Sequence, residues 1–221
     1  MVWSLIVLQR YKTIARTSVT IPLSSQDGTE NRGIKEKNIM IYITSDLHFF
    51  HDRKFIYEPR EFASAAEMAD AYVREWKEKV EKQDDLYILG DFCMGTDYGA
   101  IYSLISSLPG KIHLIAGNHD TENKIDFYRS HGIDVKYADI LAYKKRKLYL
   151  SHYPTITADL NQNPKNCVIN LHGHLHVKER FFEDRPYMYN VSVDANENHF
   201  LTPDDILGRF EEKVKECCRY L

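Results

Sequence analysis

The feature that most constrains this chain is a set of five polar strings, each lying at or near the end of a strand-like run. The runs are short, apolar and rich in β-branched or aromatic residues, as strands are, and they span residues 39–44, 85–89, 112–116, 147–150 and 167–171. The strings are Asp46-Leu47-His48, Gly90-Asp91, Gly117-Asn118-His119-Asp120, Ser151-His152 and Gly173-His174-Leu175-His176. In open α/β sheets the ligand crevice lies beyond the carboxyl ends of the strands, so the five strings are predicted to converge on one site.

Helix signals alternate with these strands. Ser64 is a predicted N-cap, because a glutamate three residues later completes a capping box and an apolar stripe with helical spacing follows. Two shorter helices are predicted over residues 98–107 and 122–130, and a last one begins after Thr202 with a proline at its first position. Residues 133–150 are predicted to form short strands joined by a turn. Strands that alternate with helices indicate an α/β fold with helices outside a sheet.

The composition limits the classes of protein to which the chain can belong. A length of 221 residues allows one domain of ordinary size with a large core. The formal net charge of −3 gives no reason to expect electrostatic capture of nucleic acid or of an acidic membrane, and no apolar run reaches the ~18 residues of a membrane span. The four cysteines lack the density and spacing of a disulfide framework or a cysteine-based zinc site. We therefore expect a reducing, cytoplasmic location.

Residues 1–38 differ from the rest of the chain, because no acidic residue precedes Asp27 while serine, threonine and basic residues are frequent. Met40, near the start of the first strand, would make a natural start codon. We therefore expect residues 1–38 to be an extension or disordered tail from a misassigned start, and residues 39–221 to form the single domain. A targeting segment, which would share the acid-poor composition, and a genuine extra element are the alternatives.

The residue types in the strings are those of a metal site. Carboxylate, amide and imidazole ligands are offered by Asp46, His48, Asp91, Asn118, His152, His174 and His176. A mixed nitrogen and oxygen set suits Mn²⁺, Fe²⁺ or Zn²⁺ better than Ca²⁺, and seven ligands exceed what one tetrahedral zinc needs. His174 and His176 are two positions apart, so on an extended segment both side chains point to one face. The set suits two metal ions that share a bridging carboxylate and act together on a phosphoryl group.

The five strings together, in this order and at these distances, resemble the calcineurin-like metallophosphoesterases, whose pattern is D-x-H, G-D, G-N-H-D/E, H and G-H-x-H. The similarity runs from residue 41 to about residue 202 and includes every position of the metal-binding pattern. The compact form, which opens with residues 44–49 and closes with residues 190–194, resembles the small bacterial and phage-type members. The resemblance implies a metallo-dependent phosphatase-like α/β fold, in which a two-sheet sandwich of mixed β-sheets is flanked by helices and carries the metal site at one edge.

The resemblance also assigns a role to each ligand. The first metal ion would be held by Asp46, His48 and His176. The second would be held by Asn118, His152 and His174, and Asp91 would bridge the two. A metal-bridging hydroxide would attack phosphorus in line, since metal charge lowers the pKa of bound water. Mn²⁺ is the expected ion in this dinuclear site, with Fe²⁺, Ni²⁺ or Zn²⁺ as alternatives.

His119 is not needed as a ligand, and the resemblance places it beside the phosphate, where it would stabilise charge or protonate the leaving oxygen. Asp120 follows directly and is expected to orient the His119 ring. The candidate substrate contacts are Asn118, His51, Arg53 and Tyr153. The candidates for the pocket wall are Phe92, Cys93 and Met94, with Cys93 expected to serve packing rather than redox chemistry.

The leading functional interpretation is metal-dependent hydrolysis of a phosphodiester. The chain has few insertions from which to build a deep specificity cap, and a shallow site favours generic aryl or nucleotide diesters. The alternatives are a phosphomonoesterase of the same family, a non-catalytic scaffold and a nuclease. The complete ligand set argues against a scaffold, and the absence of an obvious basic groove argues against a nuclease. The expected partner is a small phosphoester, with no membrane and no nucleic acid, and the oligomeric state is left open.

Overall fold

Two four-stranded sheets form the framework of the described part of the chain. The computed structural model describes residues 39–157 and 167–218, which fall within one unit, Asn38–Leu221. The predictions made for residues 1–38 concern a segment outside the described residues.

The first sheet is entirely parallel. Its strands, in both chain order and spatial order, are β1 (Ile41–Thr44), β2 (Asp85–Ile88), β3 (Lys111–Ile115) and β4 (Asp134–Lys136). The connections carry helices, as connections between parallel strands usually do. These are α1 (Lys54–Tyr57), α2 (Ala65–Lys79), α3 (Tyr98–Ser107) and α4 (Glu122–Ser130). Because all four strands run the same way, their carboxyl ends lie at one edge of the sheet.

The second sheet is mixed. Its strands, in spatial order, are β5 (Ala138–Tyr143), β6 (Arg146–Ser151), β7 (Ile169–His172) and β8 (Met188–Asn190). β5 and β6 form an antiparallel hairpin, whereas β6, β7 and β8 run parallel. Short 3-10 turns lie at Phe182–Asp184 and Val193–Asn196, and helix α5 (Pro203–Cys218) ends the described chain. The predicted α/β fold, with two sheets and flanking helices, is confirmed.

Alternating side chains of the first sheet divide the interior into two apolar cores. In β2, Leu86 and Ile88 face the helices and pack in one cluster with Trp76 of α2. Leu89, just after β2, belongs to a second cluster between the sheets, which Phe210 of α5 helps to close. The parallel sheet is therefore buried on both faces, as such sheets almost always are.

Helices α2 to α5 begin where the local sequence signals predict, whereas the short helix α1 was not predicted. Ser64 Oγ accepts a hydrogen bond from Glu67 N–H at 3.1 Å at the start of α2, and Thr202 Oγ1 accepts one from Asp205 N–H at 3.2 Å at the start of α5. Helices α3 and α4 occupy residues 98–107 and 122–130, as predicted. No helix in the described ranges is both long and apolar enough to cross a membrane.

Part of the predicted pocket wall lies in the core instead. Beyond β1 and β2 the chain segments continue side by side, since Phe49 N–H donates to Phe92 O at 3.0 Å and Met94 N–H donates to Phe49 O at 2.8 Å. This extension carries Phe92 and Cys93 into the helix-side core, where both are fully buried. The prediction that they line the pocket is therefore wrong, whereas the packing role of Cys93 is confirmed. Burial raises the pKa of the Cys93 thiol far above its usual range.

Candidate metal centre

Five loops bring the predicted ligands to one edge of the fold. The loops follow β1 with Asp46 and His48, β2 with Asp91, β3 with Asn118, β6 with His152, and β7 with His174 and His176. Three of these strands belong to the parallel sheet and two to the mixed sheet. The site therefore lies where the carboxyl ends of the two sheets meet.

One half of the site is a group of four side chains. Single ligand atoms of Asp46, His48, Asp91 and His176 all lie within 4.8 Å of one another. His48 Nε2 lies 3.1 Å from His176 Nε2, and Asp46 Oδ1 lies 3.9 Å from the first of these nitrogens and 3.7 Å from the second. The three side chains assigned to the first metal ion therefore share one small volume with Asp91.

The other half is built around Asn118. Its Oδ1 lies 2.9 Å from both His152 Nε2 and His174 Nδ1. Asp91 Oδ2 is the atom that faces both halves, since it lies 3.5 Å from His48 Nε2 and 3.7 Å from His152 Nε2. The arrangement places one carboxylate oxygen between two sets of nitrogen and oxygen atoms.

Strained backbone turns the ligand side chains inward. Five of the seven predicted ligands have positive φ angles, in the left-handed region that non-glycine residues avoid: Asp46 (59°), His48 (50°), Asp91 (53°), His174 (73°) and His176 (49°). Such a conformation costs on the order of 1–3 kcal/mol per residue and clusters at functional sites. The surrounding hydrogen bonds hold it in place; Asp46 N–H, for example, donates to Gly90 O at 3.0 Å.

Two of the motif glycines are required by close approach. A Cβ at Gly90, whose φ is +97°, would collide with the His152 ring, and a Cβ at Gly173 would collide with Ser45 Oγ and Asp46 Oδ2. The glycine in each string therefore makes room for a ligand that comes from a different string.

The donor set fits divalent metal ions. Asp46 Oδ2 accepts a hydrogen bond from His174 N–H at 2.9 Å, but Asp46 Oδ1 is buried with no hydrogen-bond partner in the described chain. His152 Nδ1 donates to Leu89 O at 2.8 Å, which leaves Nε2 as the nitrogen that faces Asp91 Oδ2, at 3.7 Å. Lone pairs that face one another across a buried space are repulsive unless a cation lies between them. Nitrogen and oxygen together suit Mn²⁺, Fe²⁺ or Zn²⁺.

Burial sets the protonation states that metal binding needs. It is the main cause that lowers the pKa of His48 to about 2, with the neighbouring His176 and Arg60 adding to the effect, so the imidazole is neutral and can bind a metal ion. Burial also raises the pKa of the Asp46 carboxyl, and His176 and His152 oppose that rise only in part. A cation at the site would favour the charged carboxylate.

His119 lies beside the ligands without joining them. Its backbone N–H donates to Asp91 Oδ1 at 2.9 Å, and its ring centroid lies 5.6 Å from that of His48. Its ring nitrogens make no hydrogen bond to the rest of the described chain, and the side chain is half-buried. The ring is therefore held at the centre and remains available to a substrate.

Asp120 has a different task from the predicted one. Its buried carboxylate accepts hydrogen bonds from the backbone N–H groups of Asp91 at 2.8 Å and Gly117 at 2.9 Å, and more weakly from Phe92 at 3.4 Å. With both oxygens committed to backbone, it joins the loops that follow β2 and β3. The expectation that Asp120 orients the His119 ring is corrected: it positions the loops.

The predicted substrate contacts are spread around the rim. His51 Nδ1 lies 3.4 Å from His48 Nδ1, on the side of the first metal set. The Tyr153 ring is half-exposed and lies 4.7 Å from that of His174, on the side of the second set. Arg53 is exposed at the start of α1, and its side chain makes no hydrogen bond or ion pair with the predicted ligands among the described residues. Asn118, also exposed, belongs to the second set itself.

Three further residues at the site were not predicted from the sequence. Arg60 and Asp194 form a bidentate ion pair beside His176. Lys124 Nζ donates to Cys93 O at 2.7 Å and His119 O at 3.0 Å. Asp194 follows β8 as the other strings follow their strands, which was a usable signal, whereas Arg60 and Lys124 lie in segments with no such mark.

Comparisons with known proteins agree with this geometry. A family model described as calcineurin-like phosphoesterase matches residues 39–214. The chain is 29% identical over 178 residues to the uncharacterized protein MJ1445 of Methanocaldococcus jannaschii. The aligned region covers 79% of this chain and 93% of that protein. The chain is also 43% identical over 82 residues to the Gene 66 protein of Mycobacterium phage L5. That aligned region covers 36% of this chain and only 39% of the phage protein.

Among solved structures, the chain is similar to a protein of unknown function, AQ665 from Aquifex aeolicus. The two share 25% sequence identity with a TM-score of 0.61, over 77% of this chain and 99% of that one. The similarity therefore extends over nearly all of the relative.

Proposed function

We propose that this chain, which belongs to the calcineurin-like phosphoesterase family, is a metal-dependent phosphodiesterase with a dinuclear metal site. The observation that carries the proposal is the position of Asp91 Oδ2, which lies 3.5 Å from one set of ligands and 3.7 Å from the other. A single carboxylate oxygen between two sets is an arrangement that supports a pair of metal ions.

Each set accounts for one ion. The first ion would be held by Asp46, His48 and His176, and the second by Asn118, His152 and His174, with Asp91 shared. Divalent ions held there would supply an activated water and a clamp on the phosphoryl oxygens. Mn²⁺ is the proposed native ion because the sets mix carboxylate, amide and imidazole donors.

His119 is the proposed proton donor to the leaving oxygen. Its backbone is tied to Asp91 and Lys124 through hydrogen bonds of 2.9 and 3.0 Å, so the ring is fixed relative to the ligands. Its ring nitrogens make no hydrogen bond to described residues, which leaves them free to contact a phosphate or a leaving oxygen. General acid catalysis of this kind contributes about 10²–10⁴-fold.

Exposed aromatic rings on two sides of the centre favour a diester over a monoester. Tyr153 is 50% exposed beside the second set, and Phe55 is 70% exposed beside His51, whose ring lies 5.6 Å away. A phosphodiester carries two organic groups, and each ring offers an apolar face to one of them. The proposed partner is therefore a small phosphodiester with aryl or nucleoside groups. A cytoplasmic location is proposed as well, because the four cysteines lack the density and spacing of a disulfide framework.

The test is a screen of metal-free protein that has been reloaded separately with Mn²⁺, Fe²⁺, Ni²⁺ or Zn²⁺. We expect faster turnover of bis-p-nitrophenyl phosphate than of p-nitrophenyl phosphate, with the highest rate in Mn²⁺. Faster hydrolysis of the monoester would show a phosphomonoesterase instead. Asp91→Asn is the negative control, since it removes the shared carboxylate. An inactive wild type with every metal would refute the proposal.

A further inference from the structure

We propose that Arg60 and Asp194 form a buried positioning pair, which holds His176 in the tautomer that can bind a metal ion and fixes the loop that carries Asp46. The inference rests on the proposed function, because the half-site that the pair positions is the first of the two. It concerns two residues that are not among the seven proposed metal ligands.

Arg60 is almost completely buried, with 3% of its surface exposed. Its Nε donates to Asp194 Oδ1 at 2.9 Å and its Nη2 donates to Asp194 Oδ2 at 2.8 Å. Nη2 also donates to the backbone oxygen of Asp46 at 2.9 Å. A guanidinium withdrawn from water is tolerated only when its donors are matched, and the planar fork suits a carboxylate. The pair therefore locks Asp194 to the loop that carries the first ligand.

The same contacts determine which nitrogen of His176 carries the proton. His176 Nδ1 lies 3.0 Å from Asp194 Oδ2 and 3.3 Å from Arg60 Nη2. Nη2 has two hydrogens, and both are already used by Asp194 and by the Asp46 carbonyl. It has none left for His176, so His176 Nδ1 must itself donate to the carboxylate.

The consequence falls on the opposite nitrogen. In the neutral ring, which is the form that binds a metal ion, protonation at Nδ1 leaves a lone pair on His176 Nε2, and that atom lies 3.7 Å from Asp46 Oδ1 and 3.1 Å from His48 Nε2. A carboxylate that binds the outer N–H of a ligating histidine fixes both the tautomer and the ring orientation. In the second half-site His152 uses a backbone carbonyl, Leu89 O, for the same purpose. The Arg60–Asp194 pair therefore acts on one half-site only.

The position of Asp194 makes the pair a link between distant segments. Asp194 lies in the 3-10 turn Val193–Asn196, whose first N–H donates to Ser45 O at 3.2 Å, next to Asp46. Arg60 is 134 positions earlier in the chain, in the segment before α2. The pair thus joins the loop after β1, the loop after β7 and the turn after β8 at the metal centre.

The experiment compares metal binding by wild type, Asp194→Asn and Arg60→Lys. An amide offers one oxygen where the carboxylate offers two. If the amide oxygen of Asp194→Asn takes the Oδ2 position the contact with Arg60 Nε is lost, and if it takes the Oδ1 position the contacts with Arg60 Nη2 and His176 Nδ1 are lost. Glu197→Gln is the matched control, because it removes a carboxylate at the end of the same turn whose partner, Arg180, lies at the surface. Metal-free proteins would be titrated with Mn²⁺ by calorimetry, and bound metal counted by mass spectrometry.

We expect two binding events in wild type and in Glu197→Gln. In Asp194→Asn one event should weaken by about 10–100-fold, the usual effect of losing such an outer partner, while the other stays within a few-fold. Arg60→Lys should weaken the same event, because a lysine cannot make the forked contact. Unchanged affinities, or equal losses at both sites, would overturn the proposal.

A second measurement needs no substitution. Long-range nitrogen–proton NMR of the metal-free wild type should show His176 protonated at Nδ1, and protonation at Nε2 alone would overturn the proposal even if the variants fail to fold. Failure of the proposed function would give a different result. A wild type that binds two ions and shows the predicted variant effects, but hydrolyses no phosphoester, would support the positioning pair and refute the phosphodiesterase activity.

Discussion

At the residue scale, the centre depends on side chains whose surroundings leave them one task. His119 has its backbone fixed by Asp91 and Lys124 and its ring free, whereas Asp120 has both carboxylate oxygens committed to backbone N–H groups. These two adjacent residues therefore have different roles: His119 is available to the substrate, and Asp120 holds the loops after β2 and β3 together.

Replacing His119 by alanine should separate catalysis from metal binding. Because the ring makes no ligand contact, His119→Ala should lower kcat by about 10²–10⁴-fold while bound metal, counted by mass spectrometry, stays at the wild-type level. His113→Ala is the control, since His113 lies on β3 against Tyr87 and Asp85, away from the ligands. Loss of metal from His119→Ala would show that His119 is a ligand instead.

Gly173→Ala should damage the centre through volume alone. The added Cβ would collide with Ser45 Oγ and Asp46 Oδ2, so the loop after β7 must move. We expect a loss of about 1–3 kcal/mol in the free energy of unfolding, measured in urea, together with weaker Mn²⁺ binding. Gly208→Ala in α5 is the control, because nothing lies within 4 Å of its new Cβ. This substitution should increase the free energy of unfolding by about 0.5–1 kcal/mol. Equal effects would contradict the collision.

Short-range patterns predicted the ligands but not the residues that support them. Asp46, Asp91 and the histidines stand directly after strand-like runs, so their convergence follows from the rule for strand ends. Arg60 acquires its role only through Asp194, 134 positions away, and no local pattern records such a pairing. The error at Asp120 has the same origin, because adjacency to His119 suggested a contact that the turn geometry directs elsewhere.

At the scale of elements, local chemistry determines where the helices begin. Ser64 accepts a hydrogen bond from Glu67 N–H, and the Glu67 carboxylate accepts one from Ala63 N–H at 2.7 Å. Ser64→Ala should therefore cost about 1 kcal/mol in the free energy of unfolding, measured by urea denaturation. Ser103→Ala is the matched control, since Ser103 Oγ only donates back to Gly99 O within exposed α3, and its effect should be near zero. Similar losses in both variants would contradict the cap.

The order of the strands could not be predicted as well as their existence. Apolar periodicity located β2 and β3 to within a residue, and the cap and breaker residues located α3 and α4. The same patterns do not record that β5 and β6 form an antiparallel hairpin while β6 to β8 run parallel, because register depends on packing between the sheets. The segment after β2 was misjudged for the same reason: its side chains follow the tertiary ladder into the core.

At the scale of the whole molecule, the metal centre exists only when both sheets are assembled. Asp46 and Asp91 come from the parallel sheet, and His152 and His176 come from the mixed sheet. An unfolded chain cannot offer this set, so metal binding and folding are thermodynamically linked. Asp46 is fully buried with one oxygen unpaired, which means that the metal-free protein bears a cost that an ion would relieve.

Metal removal should therefore lower the thermal stability of the whole domain. A ligand that binds only the folded state at 100 times its Kd contributes about 2.7 kcal/mol for each site, which for a chain of this size raises Tm by roughly 5–10 °C. We expect chelation to lower Tm by at least this amount, and Tm to rise continuously with Mn²⁺ concentration in differential scanning calorimetry. Asp91→Asn should lose most of the Mn²⁺ response, whereas Asp204→Asn, at the exposed end of α5 beside Lys144, should retain it. A Tm that is independent of Mn²⁺ in wild type would mean that the ligands of the two sheets do not form a metal site in the folded protein.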